Sequence, residues 1–283
     1  MACAGSGVPE TIGVVGVGTI SSAMVRGLCS PGGPQPKIVL CPRNAAKAAA
    51  LQSEFPDLVR IAGSNQEVVD AADYLILALL SNNAEEVLGG LTFRPGQGIL
   101  SVIAALPMPR LQELVSPATD CAIGIPLPAV AKRRGASLLM PKQPAAQAIF
   151  DALGTCVVAE VEAEFKRMLC LTALMGDFYK RQLTAQDWMV SHGVPKESAA
   201  AWTGAIFATM AADSGAPGPT GLADLVAEQT PGGLNEMVWR GQDADASYEA
   251  FGYSLDAVHN RITTGSWDPD LEPAAKRSKR AAT

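Results

Sequence analysis

The residues best spaced for binding chemistry in this 283-residue sequence are glycines. Gly16-Val17-Gly18-Thr19-Ile20-Ser21 follows the apolar pentapeptide Thr11–Val15 and opens a stretch with helical patterning. In a strand–turn–helix context, a first glycine permits a tight turn. A second lets backbone amides at a helix N-terminus approach a pyrophosphate. Ser21 stands third, where Gly or Ala is usual, and predicts slightly looser packing of helix on strand. Gly16, Gly18, Thr19, Ile20 and Ser21 are thus the expected centre of a dinucleotide site, with a plain turn as the alternative.

Two further segments carry chemistry. After the apolar run Lys37–Cys41 come Pro42, Arg43 and Asn44, with no carboxylate before Glu54. An NAD site wants an acid there for the ribose hydroxyls, whereas a 2′-phosphate wants a cation. Arg43 and Asn44 therefore favour NADP(H) over NAD(H), with a solvated arginine opening a helix as the plainer alternative. In the second half, Thr230-Pro231-Gly232-Gly233-Leu234-Asn235 reads in either of two ways. It is a capped helix start, with Thr230 as cap and Pro231 near the first position, or a helix N-terminus whose amides hold a carboxylate.

Composition excludes several classes. Two histidines and six scattered cysteines without a C-x-x-C pair argue against a metal centre and a disulfide framework. A net charge of −6 and a pI near 5.0 disfavour nucleic acid as partner. The longest apolar run, Tyr74–Leu80, is far short of the roughly 20 residues of a membrane span. Met1–Pro9 lacks the pattern of a signal peptide, so a cytoplasmic protein without a membrane partner is expected. Lys276, Arg277, Lys279 and Arg280 form a basic tail, expected to be disordered, and without them the body is more acidic than −6 indicates.

The elements that must position these residues change in texture along the chain. Up to about Pro141, short apolar runs alternate with amphipathic stretches. Strands are expected at Thr11–Val15, Lys37–Cys41, Leu58–Ile61, Tyr74–Leu79, Ile99–Ala104 and Ala136–Leu139, and helices near 21–28, 45–54 and 66–71. That alternation implies an α/β fold with a Rossmann-type, doubly wound sheet. Beyond Val158 only helical patterns remain, near 160–190, 196–213, 221–228, 233–240 and 248–262. Within the first, Met168–Met175 is apolar on every side, which places it in a core or against a second subunit. The expected division is a dinucleotide-binding 1–158, an all-helical 159–266 and the tail 267–283. Asp177, Tyr179, Lys180 and Arg181 read as helix surface, His192 as a cap, and Trp188, Trp202 and Trp239 as core or interface aromatics.

Several motifs, in order, resemble the pyrroline-5-carboxylate reductase family over about 11–265. They are the turn at Gly16 and Gly18; Arg43; Asn65; the run Ala72–Leu79; Ser101-Val102-Ile103-Ala104-Ala105; Pro128-Ala129-Val130; Gly193-Val194-Pro195; and Thr230–Gly233. Departures from the family pattern are Leu80 and Ser81 for "KP", Pro126 for an asparagine, Leu171–Met175 for "SGSGP", and Asn235 for a threonine.

The resemblance implies a homodimer or higher oligomer and hydride transfer from NAD(P)H to the C=N carbon of a cyclic imine acid. It implies cofactor contacts at Asn65, Ala78, Leu79 and Ala104, substrate contacts at Thr230, Gly232 and Gly233, and catalytic contacts at Thr230 and Asn235. Imine reduction demands alignment more than acid–base groups, so a site without histidine, cysteine or metal suits it. The alternative is a dinucleotide-binding dimer that kept the fold and lost activity.

Overall fold

The computed structural model describes residues 7–215 and 221–266. The basic tail 276–280 and Cys3 lie outside the described residues. The chain divides into two compact units, Met1–Leu169 and Cys170–Thr283.

The first unit runs β1 (Thr11–Val15), α1 (Thr19–Cys29), β2 (Lys37–Leu40), α2 (Ala45–Glu54), β3 (Val59–Ile61), α3 (Asn65–Asp70), β4 (Tyr74–Leu77), α4 (Ser81–Gly89), β5 (Gly98–Ser101), α5 (Met108–Leu114), β6 (Asp120–Pro126), β7 (Gly135–Met140), α6 (Pro144–Leu153), β8 (Gly154–Val158) and α7 (Glu162–Cys170), whose last residue falls in the second unit. The eight strands form one sheet in the order β3-β2-β1-β4-β5-β6-β7-β8. All neighbours are parallel except β6 and β7, which run antiparallel. The sheet is the doubly wound, Rossmann-like one expected from the alternation of elements. Strand order reverses between β1 and β4, which leaves a crevice beyond their carboxyl ends.

Covered on both faces, the central strands are continuous apolar runs: all of β4 and β5 is buried, as is β1 after Thr11. Met24 and Leu28 of α1, Leu51 of α2 and Phe150 of α6 close the core from the helices. Three expected strands end early: β2 at Leu40, β4 at Leu77 and β5 at Ser101, so Cys41, Ala78, Leu79 and Val102–Ala104 lie in the loops at the strand ends. Strands β6 and β8 and helices α4, α5 and α6 add to the elements expected from the sequence.

The second unit is helical: α8 (Met175–Ser191), α9 (Lys196–Ser214), α10 (Gly221–Ala227), α11 (Leu234–Ala244) and α12 (Ser247–Thr264). The continuous helix expected over 160–190 is broken. Leu171–Leu174 forms a 3-10 turn between α7 and α8. Burial of Met168–Met175 in a core also does not hold within the chain, since Leu171 is 59% exposed. His192 caps the C-terminus of α8, its Nδ1 lying 2.8 Å from the Trp188 carbonyl. Asp177 and Arg181 pair at 2.7 Å on the exposed face of α8. Phe178 and Phe207 meet edge to face across α8 and α9, with centroids 5.9 Å apart. Little else is buried: among the described residues of this unit only Cys170, Ala199 and Thr203 are, while Trp188 and Trp202 are 62% and 60% exposed.

Among the described residues, no helix is long and apolar enough to cross a membrane.

Candidate functional site

The glycine turn sits where β1 ends at the strand-order reversal. Gly16 has φ +101°, and a Cβ there would lie 2.3 Å from the Ala78 carbonyl oxygen, so the turn needs glycine on two counts. Gly18 differs: its φ is −104°, and a Cβ would meet nothing within 4 Å. The space in front of Gly18 is open, as a cradle for a pyrophosphate requires. Behind it α1 begins at Thr19, two residues before the expected start. The amides of Thr19, Ile20 and Ser21 lie ahead of the first intrahelical bond, at the positive end of the helix dipole.

Ser21 takes a part in the turn that the sequence reading did not assign to it. Its side chain is buried and closes the turn: Oγ donates to the Gly16 carbonyl at 2.8 Å and accepts the Gly18 N–H at 2.8 Å. Two such bonds contribute about 1 kcal/mol each. The consequence for binding is that the Gly18 amide is engaged internally, so the helix amides of Thr19 to Ser21 are left to face an anion.

The loop after β2 is tied to the same turn. Asn44 Nδ2 donates to the Val17 carbonyl at 3.1 Å, while its Oδ1 caps α2 by accepting the Lys47 N–H at 3.3 Å. Asn44 therefore shapes the site, and its side chain is already committed. Arg43 beside it is exposed and makes no hydrogen bond or ion pair with any described residue. The nearest acid in sequence, Glu54, pairs with Arg26 at 2.8 Å. Arg26 lies roughly 10 Å along α1 from the glycine turn, by the helical rise per residue. Charge at the end of β2 is thus uncompensated and positive.

Two residues here were not anticipated. Lys47 places Nζ 3.4 Å from Thr19 Oγ1, adding a second cation at the N-terminus of α1; its spacing four residues after Arg43 is the signal in the sequence. Cys41, buried, accepts the Gly16 N–H on Sγ at 3.1 Å, a role no local pattern announces.

Ala78 and Leu79 follow β4 opposite Gly16, with Leu79 partly buried against the core. Ala104 is exposed beyond β5, and the next residue, Ala105, has φ +61°. Such a conformation in a non-glycine residue costs on the order of 1–3 kcal/mol. Asn65 is half-buried at the first turn of α3, whose cap is Ser64. The first unit thus gathers the glycine turn, Arg43, Asn44, Lys47, Ala78 and Leu79 around one strand end, with Asn65 and Ala104 on the flanking strands' loops.

In the second unit, Thr230–Asn235 leads into α11. The helix cap is Gly233, so the expected capping by Thr230 with Pro231 at the first position does not occur. Gly232 turns the chain with φ +72°, and the Gly233 N–H donates to the Thr230 carbonyl at 2.8 Å. The Gly232 N–H donates to Glu236 Oε2 at 2.5 Å, and Asn235 Nδ2 donates to Gln229 Oε1 at 2.6 Å. That amide and the Arg240 guanidinium hold the Glu236 carboxyl below the usual carboxylate range. Leu80, at the expected lysine position, is 72% exposed ahead of α4.

Among the described residues, no group of three histidine, cysteine or acidic side chains could hold a metal. The residues present fit a dinucleotide: open space at Gly18, free-facing helix amides and an unpaired Arg43.

Comparison with known proteins agrees with this arrangement. Residues 11–105 match the family model described as NADP oxidoreductase, coenzyme F420-dependent. No curated protein matches the sequence. Among solved structures, a pyrroline-5-carboxylate reductase from Coxiella burnetii is 18% identical and superposes with a TM-score of 0.79, over 92% of this chain and 100% of that one. Plasmodium falciparum pyrroline carboxylate reductase with NADP bound is 14% identical, with a TM-score of 0.69 over 90% and 97% of the two chains. An imine reductase from Aspergillus terreus, in complex with NADPH4 and dibenz[c,e]azepine, is 19% identical, with a TM-score of 0.56 over 97% and 94%. The chain therefore has an NAD(P)-dependent oxidoreductase fold, that of the pyrroline-5-carboxylate reductases, related also to imine reductases.

Proposed function

We propose that this chain is a divergent pyrroline-5-carboxylate reductase that reduces the C=N bond of a cyclic imine, pyrroline-5-carboxylate or a close relative, with NADPH. The observation that carries the proposal is the uncompensated Arg43 beside the open glycine turn, at the strand end where the fold binds its dinucleotide. Thr19, Ile20 and Ser21 would hold the pyrophosphate on their amides, and Arg43 the 2′-phosphate, with Asn65, Ala78, Leu79 and Ala104 lining the rest. The bound nicotinamide supplies a hydride to the imine carbon. Thr230, Gly232 and Gly233 are the proposed substrate contacts, and Thr230 and Asn235 the proposed catalytic ones, with Asn235 as the donor to the imine nitrogen. Residues 1–158 would serve the cofactor and 159–266 the substrate and a second subunit. A cytoplasmic role in proline formation belongs to the same proposal.

The second unit's surface supports an oligomer. Trp188, Trp202, Met237 and Val238 are all mostly exposed, and few of the described residues of this helical unit are buried. Apolar area on that scale marks an interaction surface, and a homodimer is the economical cover.

NADPH oxidation followed by absorbance, with pyrroline-5-carboxylate and a set of cyclic imines, tests the activity. Turnover supports the proposal. Tight NADPH binding without turnover of any cyclic imine would instead favour a dinucleotide-binding dimer that lost catalysis. The internal pairing of Gly232 and Asn235 is the feature favouring that second reading.

A further inference from the structure

Between β5 and α5 the chain passes from one buried anchor to another over two exposed residues. Ile103 and Leu106, the anchors, both lie in the core of the first unit. The Ile103 N–H donates to Ser101 Oγ at 3.4 Å. The Val102 N–H donates to the Leu77 carbonyl at 2.9 Å, which ties the loop to the end of β4. Ala104 and Ala105 are exposed, and neither makes a hydrogen bond with a described residue. Ala105 closes the gap with φ +61°, a left-handed backbone that alanine seldom adopts. Strain of this kind persists only where the surrounding structure enforces it, and it clusters at ligand clamps. Strand order says what the clamp would hold. From Arg43 after β2, the ends of β1, β4 and β5 follow in turn, so β5 stands three strands, or roughly 14 Å, from β2. With a 2′-phosphate at Arg43 and a pyrophosphate at α1, a dinucleotide lying across the crevice brings its nicotinamide to the ends of β4 and β5.

We propose that Ala105 is a positioning residue for the nicotinamide: its left-handed backbone aims the free peptide groups of Ala104 and Ala105 at the carboxamide and fixes the rotation of the ring. The inference rests on the dinucleotide site of the reductase proposal and concerns the end of the cofactor that gives up the hydride. A carboxamide offers two donors and an acceptor, which peptide C=O and N–H groups match. A loop already held in its binding conformation spares the cost of ordering it when the cofactor arrives, which gives the strain in the free protein a use.

The test titrates the full-length protein by calorimetry with NADPH and with 2′-phospho-ADP-ribose, which has the same adenosine and phosphates but no nicotinamide. The unmodified protein is expected to bind NADPH at least tenfold more tightly, and equal affinities overturn the inference. Ala105→Gly relieves the strain and loosens the loop, so its urea midpoint should be unchanged or higher; a lower one overturns the inference, since the backbone would then carry no strain. This variant is expected to bind NADPH at least fivefold more weakly and 2′-phospho-ADP-ribose within twofold of the unmodified protein. Ala105→Asn, whose side chain tolerates the left-handed region, should keep NADPH affinity within twofold. An unchanged NADPH affinity in Ala105→Gly, or an equal loss for both ligands, overturns the inference. A loss in Ala105→Asn as large as in Ala105→Gly does so too, because the dihedral would then not be what matters. Turnover is not needed, so a failure to reduce any imine leaves this test standing. A protein that binds neither ligand removes the dinucleotide site and the inference with it.

Discussion

Substituting alanine for each glycine of the turn separates structure from binding. In Gly16→Ala the new side chain sits at φ +101°, which costs on the order of 1–3 kcal/mol. Its Cβ would also approach the Ala78 carbonyl to 2.3 Å and the Leu79 side chain to 3.2 Å, where ordinary contact is about 3.4 Å or more. Relief requires the end of β1 to move roughly 1 Å from the end of β4, and overpacking of that kind costs about 1–3 kcal/mol. The shift strains the Ala78 N–H bond to the Val15 carbonyl, now 2.8 Å, and a weakened bond adds up to about 1 kcal/mol. The sum, about 2–7 kcal/mol, is a large part of the 5–15 kcal/mol typical of a folded chain.

Gly18→Ala meets no atom and no forbidden dihedral, so only helix capping suffers, by at most about 1 kcal/mol. Its methyl would instead enter the open space proposed for the pyrophosphate. Urea unfolding without cofactor, paired with NADPH titration by calorimetry, measures both effects. Gly16→Ala should lose most of its stability, and Gly18→Ala should keep it while binding NADPH at least tenfold more weakly. A Gly16→Ala protein of normal stability, or a Gly18→Ala protein of normal affinity, would refute the assignment of these two roles.

Arg43→Ala should weaken NADPH binding tenfold or more, the worth of one charge-assisted contact, and leave NADH binding unchanged; equal effects on both would reject the 2′-phosphate assignment. Lys47→Ala should weaken NADPH by a smaller factor, measured in the same titration, since its amine lies at the edge of the helix terminus. Burial pushes the Cys29 thiol up to about 12 and the Cys121 thiol up to about 11, with Glu54 adding to the first and Asp120 to the second. A raised pKa keeps both protonated and unreactive at pH 8, so iodoacetamide should label them only after unfolding, as mass spectrometry will show. Trp202→Glu, on an exposed apolar surface, should shift the protein toward monomer in light scattering without lowering the helix content; an unchanged mass would remove Trp202 from the interface.

Fold elements were legible where local pattern and long-range environment agreed. β4 is an unbroken apolar run because both of its faces are covered, and α2 begins where Asn44 can cap it. β6 hid because its pattern answers to a distant partner. Gly124 and Pro126 lie within Asp120–Pro126 and suggest a loop. A Cβ at Gly124 would come within 2.5 Å of the Phe150 ring, so the glycine is there to admit a core aromatic from α6. The break at Leu171–Leu174 is similar in kind, since no glycine or proline marks it and the apolar periodicity runs through. Strand ends were overestimated for a physical reason too: Ala78, Leu79 and Val102 are apolar but lie beyond the ladder, at the crevice edge.

The candidate site shows a different limit. Residue type and spacing find the loops that bear donors, but not which partner each donor already holds. Asn44, Ser21 and Asn235 all look like ligand contacts in sequence. Each already holds a partner within the chain: Asn44 the Val17 carbonyl of the neighbouring glycine turn, Ser21 Gly16 and Gly18, Asn235 Gln229. A ligand must then offer more than the internal bond it replaces, and a neutral bond contributes only about 1 kcal/mol while a charged one is roughly twice as strong. Asn235 is therefore the easier of the two loop contacts to win, because its partner is a neutral amide. The Gly232 amide is the harder, because Glu236 holds it with a charge that Arg240 keeps in place. Arg43 stands at the opposite end of this ordering, with no internal partner among the described residues to displace. A doubly charged phosphate can take Arg43 without breaking anything, whereas a substrate carboxylate at Gly232 must first evict one of its own kind. Among the described residues, the Thr230 hydroxyl and the amides of Leu234, Asn235 and Glu236 are the donors of that loop which a carboxylate can take at no such cost.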